Sequence, residues 1–200
     1  MIKAIIFDWG GVLIDHPIPE IKAYCARYLR VPERELGDAV EKFRDDFARG
    51  TISEDEFWEK VCSQVGAPKP DIGSLWEKAF RNSYSEKHEI LSLASSLREN
   101  GYKIGFLSNT EIPGVKIFQE KNYNVFDVLV FSCLEGTIKP ERRAYEIALE
   151  RLGAKPEEAI FIDDRQTNIK GAKEIGINAI LFKNIDHLKR KLASFSVQID

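Results

Sequence analysis

Five short apolar runs, rich in Ile, Val and Phe, punctuate the chain at residues 4–7, 103–107, 128–131, 159–162 and 179–182. Each has the length of a strand and almost no polar alternation, the pattern of parallel strands buried on both faces. From the second run onward, stretches with helical periodicity fall between them, at 111–121, 141–152, 167–175 and 186–194. Strand and helix in alternation predict crossover units, and therefore a three-layer α/β sandwich around one parallel sheet.

The interval between the first two runs is far too long for one crossover. Helical patterns occupy residues 18–30, 33–49, 54–65 and 72–83, bounded by Pro17, Pro32, Gly50 and Gly66-Ala67-Pro68. Ser53 followed by Glu56 has capping-box spacing. Phe43, Phe47, Phe57, Trp58 and Trp76 recur at helical spacing and predict a core for these helices. The expected organisation is an inserted helical cap at 15–84 and a catalytic core made of 1–14 and 85–200. A further helix over 85–100, ended by Gly101, returns the chain to the sheet.

Composition narrows the function classes. With 44% hydrophobic and 30% charged residues, the chain is globular rather than disordered. A formal net charge of −3 supplies no basic field for nucleic acid or an anionic membrane, so the expected partner is a small molecule. Cys25, Cys62 and Cys133 are widely spaced and odd in number, which predicts reduced thiols rather than a disulfide framework or zinc site. No apolar run approaches the roughly 18 residues of a membrane span, and the start of the chain turns charged at Asp8; the expectation is cytoplasmic. Nothing in the pattern fixes an oligomeric state.

Candidate chemistry collects just past the carboxyl ends of the predicted strands, where open α/β sheets bind ligands. Asp8 follows the first strand, with Gly10 and Gly11 allowing close approach to the backbone. Ser108-Asn109-Thr110 follows the second, Lys139-Pro140 lies beyond the third, and Asp163-Asp164 follows the fourth. A carboxylate nucleophile, neutral donors, a cation and an acidic pair together suit transfer of a charged group. His16, His88 and His187 lack metal-ligand spacing, and surface or structural roles are expected for them.

In order, strand context and spacing, the segments Phe7-Asp8-Trp9-Gly10-Gly11-Val12-Leu13, Leu107-Ser108-Asn109-Thr110, Ile138-Lys139-Pro140 and Phe161-Ile162-Asp163-Asp164 resemble motifs I to IV of the haloacid dehalogenase-like hydrolase superfamily. Within it, the chain looks most like helical-cap phosphatases, both bacterial sugar-phosphate phosphatases and the amino-terminal phosphatase domain of soluble epoxide hydrolases. The resemblance implies a Rossmann-like sheet of order 5-4-1-2-3 and a magnesium-dependent phosphatase. Asp8 would form an aspartyl-phosphate, and the substrate would be a small phosphorylated metabolite. It implies Mg2+ held by Asp8, Asp164 and the main-chain carbonyl of Gly10, with Asp163 supporting or acting through water. It also implies phosphate contacts from Ser108 and Asn109, Lys139 as phosphate-binding cation, and Asn168 orienting the metal's water shell.

One position departs from the family pattern. A second aspartate usually stands where this chain has Gly10, and protonates the leaving oxygen before activating water. Glycine keeps the carbonyl but transfers no proton, a loss worth about 10²- to 10⁴-fold in rate. Asp15 and His16 are candidate substitutes if the loop folds back. Two other readings stay open. One is a metal-independent 2-haloacid dehalogenase, although such relatives typically carry tyrosine at the Gly10 position and lack the acidic pair. The other is a non-catalytic protein that binds a phosphorylated ligand.

Overall fold

The computed structural model describes residues 1–199. Its elements run β1 (Ala4–Phe7), α1 (Ile18–Leu29), α2 (Glu33–Arg49), α3 (Glu54–Val65), α4 (Leu75–Ser83), α5 (His88–Glu99), β2 (Lys103–Ser108), α6 (Ile112–Lys121), β3 (Val128–Phe131), α7 (Ser132–Glu135), α8 (Arg142–Leu152), β4 (Ala159–Asp163), α9 (Gln166–Glu174), β5 (Asn178–Leu181) and α10 (Ile185–Ser194). The five strands form one parallel sheet of order β3-β2-β1-β4-β5, the expected order read from its other edge. Among the described residues, no helix is long and apolar enough to cross a membrane.

Side chains along each strand alternate between two apolar layers, as the two-residue strand period requires. Ile5, Phe7, Ile104, Phe106, Ile160 and Ile162 face α5, α6 and α10, and their cluster continues without a break into the helices inserted after β1. Ala4, Ile6, Leu107 and Phe161 face α8 and α9. Phe7 lies level with Phe106 on one side and Ile162 on the other, so Asp8, Ser108 and Asp163 all leave the sheet at the same edge.

The inserted helices α1–α4 pack around the predicted aromatic core. Phe47 stacks on Phe57 at 4.5 Å between centroids, and Trp76 meets both rings edge-on. Phe43 is only partly buried at the margin of that cluster. The expected Ser53–Glu56 capping box is present. α4 starts later than its apolar pattern predicts because Ser74 caps it, accepting the Glu77 amide at 2.9 Å, and Ser74 itself donates to Glu54. Likewise α5 starts only at His88, because residues 85–87 are used in pairing the two passages between insertion and core. There the Asp15 amide donates to the Ser85 carbonyl, and the Lys87 amide donates to the Leu13 carbonyl.

Contacts of several kinds tie the insertion to the core. Trp9, buried just past β1, packs against Phe80 of α4, Phe106 of β2 and Phe118 of α6, with centroids 5.1–6.0 Å away. Ser132, at the start of the short α7, accepts the Thr110 amide at 2.9 Å and donates to the Ala48 carbonyl of α2 at 2.5 Å. Removing that hydroxyl strands a buried amide and a buried carbonyl. Ser132→Ala is therefore expected to lower unfolding free energy by about 1–3 kcal/mol, measured by urea denaturation; an unchanged midpoint would rule out this hydroxyl as a tie.

Candidate functional site

Asp8 continues the ladder of β1, its amide donating to the Ile162 carbonyl at 2.9 Å, and so its carboxylate is held at the sheet edge. Lys139 reaches it from the loop after α7. Its ammonium lies 2.6 Å from Asp8 Oδ1 and 2.8 Å from Asp163 Oδ2, and donates to the Leu107 carbonyl at 2.9 Å. Only 3% of this lysine is exposed. Burial alone would pull its pKa down, but Asp163 and Asp8 hold it above its ordinary value, so it stays charged.

The two adjacent aspartates at the end of β4 differ in what they have left to offer. Asp163 is fully buried, and its oxygens are already engaged: Oδ1 accepts the Arg165 amide at 2.7 Å, Oδ2 accepts Lys139, and Asn168 Nδ2 donates to both. That saturation suits a group that positions Lys139. Asn168 is accordingly spent on Asp163. Asp164 is half-buried, and its Oδ1 lies out of solvent without a hydrogen-bond partner. Its carboxylate rests against Gly11, which has φ +86°, and a Cβ there would collide with Asp164 Oδ2. Gly11 is required both by its left-handed backbone and by this close approach.

The donor set fits a hard divalent cation. Asp8, Asp163 and Asp164 each present an oxygen within 4.8 Å of the others. Burial, reinforced by Asp163, pushes the Asp8 carboxyl upward despite Lys139, and burial with Asp163 also raises Asp164. Carboxyls driven toward protonation by confinement and mutual repulsion mark an unmet demand for positive charge. Asp164, with its unpartnered oxygen, and Asp8, at the cavity wall, are the groups able to ligate.

The cavity in front of Asp8 and Lys139 measures about 50 Å3. Ser108 borders it and is buried. Asn109 borders it too, but its side chain clamps the Lys139 backbone, donating to the carbonyl at 2.9 Å and accepting the amide at 2.8 Å. Its expected phosphate contact would thus fall to its main chain. Gly10 lines the wall with an ordinary backbone, and a Cβ there would lie 3.3 Å from Pro17 Cδ. Pro17, at the root of the insertion, crowds the space into which a second aspartate would project.

His16 comes into the site and Asp15 does not. His16 lines the cavity, its Nε2 lying 3.2 Å from Arg165 Nη2, whereas Asp15 is exposed and faces Lys87 at 3.6 Å. Burial, opposed by Asp164, pulls the His16 pKa below its ordinary value. Arg142 and Arg143 pair with glutamates on the surface of α8, while Arg165 borders the cavity. Sequence reasoning missed Arg44 of α2, Phe80 of α4 and Glu111, which also line it. The acid directly after Ser108-Asn109-Thr110 was a usable signal for Glu111; nothing in the polar face of α2 singles out Arg44.

Comparison with known proteins identifies the family. The family model described as haloacid dehalogenase-like hydrolase matches residues 2–176. The mouse acyl-CoA dehydrogenase family member 10 is 30% identical over 188 residues, covering 89% of this chain but 18% of that protein, so the chain spans only a small part of that relative. The Aspergillus oryzae sesquiterpene phosphatase astK is 28% identical over 179 residues, covering 88% and 87% of the two chains. A Bacteroides thetaiotaomicron enzyme of the same family, solved with magnesium and inorganic phosphate, superposes with a TM-score of 0.75 at 25% identity, covering 94% of this chain and 99% of the other. The motif order, the sheet that carries it and the match across most of its length make this chain a member of the haloacid dehalogenase-like hydrolases.

Proposed function

We propose that the protein is a magnesium-dependent phosphatase that hydrolyses a small phosphorylated metabolite through an aspartyl-phosphate on Asp8. The observation that carries this reading is the convergence of Asp8, Lys139, Ser108 and the unpartnered oxygen of Asp164 at one edge of the sheet. Support also comes from the phosphatase among the relatives and the magnesium and phosphate in the Bacteroides structure. Asp8, Asp164 and the Gly10 carbonyl would hold Mg2+, with Asp163 behind them. The ion would neutralise charge on the transferred oxygens.

The chain's own groups then have defined tasks. An Asp8 oxygen attacks phosphorus, the bond from phosphorus to the ester oxygen breaks, and the leaving alkoxide takes a proton from water. Water next attacks the phosphorus of the acyl phosphate, releasing inorganic phosphate and restoring the Asp8 carboxylate. Lys139 keeps Asp8 oriented and offsets charge building on the phosphoryl group, while Ser108 donates to one of its oxygens. Because no side chain at Gly10 transfers the proton, good leaving groups are favoured.

Asp8→Asn is expected to cut phosphate release from acyl phosphates and aryl phosphates by roughly 10³-fold or more without altering the circular dichroism spectrum. Chelation should abolish wild-type turnover and added Mg2+ should restore it. Chelator-resistant release of halide from a 2-haloacid would instead make the protein a dehalogenase.

Gly10→Asp supplies the missing carboxyl at the cost of moving Pro17 by a few tenths of an ångström. Turnover of alkyl phosphates should rise by up to about 10²-fold, and turnover of p-nitrophenyl phosphate far less. Equal changes for the two ester classes would show that leaving-group protonation is not what Gly10 lacks.

A further inference from the structure

The sheet ends at β5, whose outer edge lies open between two helices. Just beyond the strand, the Phe182 amide donates inward to the Asp163 carbonyl at 2.8 Å. A strand backbone alternates its hydrogen-bonding direction, so the N–H and C=O groups of Ala179 and Leu181 point outward. Among the described residues no further strand pairs with this edge, and no side chain bonds to those four groups. The edge forms the floor of a groove of about 520 Å3, walled by α9 on one face of the sheet and α10 on the other. Its charge is one-sided. Lys173, Lys183 and Lys191 line it, all exposed and, among the described residues, none in an ion pair, and no acidic side chain lines it. Of the acids on the flanking helices, Glu174 faces Lys170 at 3.9 Å and Asp186 lies outside the groove. A chain of net charge −3 thus gathers unpaired cations along an open strand.

We propose that this groove binds an acidic, extended segment of a partner protein, which adds to β5 as a sixth strand. The incoming backbone pairs with the outward groups of Ala179 and Leu181, and its alternate side chains fall toward α9 and α10, where Lys173 and Lys191 stand. Charge selects this occupant over the others. A second copy of the chain would bring the same lysines face to face across the edge, and a sugar-phosphate backbone supplies no N–H for the outward carbonyls. Lysines that merely keep sheet edges apart commonly sit on the edge strand itself. Here they sit on the helices and the following loop, while the strand, Asn178–Leu181, carries no charge and no proline. The groove shares no lining residue with the catalytic cavity, so the proposal stands apart from the phosphatase reading.

The probe is an acetylated hexapeptide alternating glutamate and valine, titrated into the isotope-labelled protein and followed by NMR. Amide shifts and slowed hydrogen exchange at Ala179 and Leu181 are expected, with a Kd below about 1 mM. N-methylation of alternate peptide amides should weaken binding by roughly 10-fold in the phase that faces β5 and little in the other. Lys173→Glu combined with Lys191→Glu should weaken it by about 10-fold as well, with an unchanged circular dichroism spectrum. No response at these two amides overturns the proposal. Equal binding of the two N-methylated peptides also overturns it, since that is how a patch of loose counter-charges behaves, and so does equal binding of a lysine–valine peptide. Concentration-dependent dimerisation that protects β5 would assign the edge to a second copy. An oligouridylate that shifts the groove resonances where the peptide does not would assign it to nucleic acid, and either result sinks the acidic-strand proposal.

Discussion

One buried ammonium organises the catalytic end of this molecule. Lys139 stands between Asp8 and Asp163, almost wholly out of solvent, and without it two carboxylates would face each other in a medium that tolerates neither. Its position depends on partners from three directions. The Leu107 carbonyl accepts from it at the end of β2, Asn109 clamps its backbone, and Asn168 and the Arg165 amide fix Asp163 opposite. The strands supply the anchor points, and the loops beyond them exist in one arrangement because this cation and these anions must be paired.

The same constraint sorts the two acidic residues at the end of β4. Asp163 has its lone pairs filled by the groups that hold Lys139, whereas Asp164 turns past Gly11 and keeps a buried oxygen free. Asp163 is the last residue of β4 and Asp164 lies in the bend that follows, and that difference separates a positioning carboxylate from one able to ligate. Gly11 is fixed by Asp164 as much as by its own turn.

Gly10 and Gly11 share a motif but obey different constraints. Gly11 has a backbone conformation and a neighbour that exclude any side chain, while Gly10 has an ordinary backbone and only Pro17 close by. The backbone at Gly10 would therefore accept a side chain, with Pro17 as its one tight neighbour. Pro17 ties this position to the inserted helices, whose first turn begins next to it.

The strands, most helices and the order of the polar sites were legible in the sequence, because buried parallel strands must be continuously apolar and helices must repeat their apolar face. Asp8, Ser108, Lys139 and the acidic pair could be placed at one sheet edge from that alone. Where helices began was less legible: α4 and α5 start late because Ser74 caps one and linker pairing delays the other. The distinction between Asp163 and Asp164, the use of the Asn109 side chain on Lys139, the inward turn of His16 and the arrival of Glu111 and Arg44 at one cavity all depended on tertiary structure. Composition and period record which face of an element is apolar, but not which polar groups from distant segments share a cavity. That is decided when α2 and α4 dock over the sheet edge and bury side chains whose sequence context looks like ordinary surface.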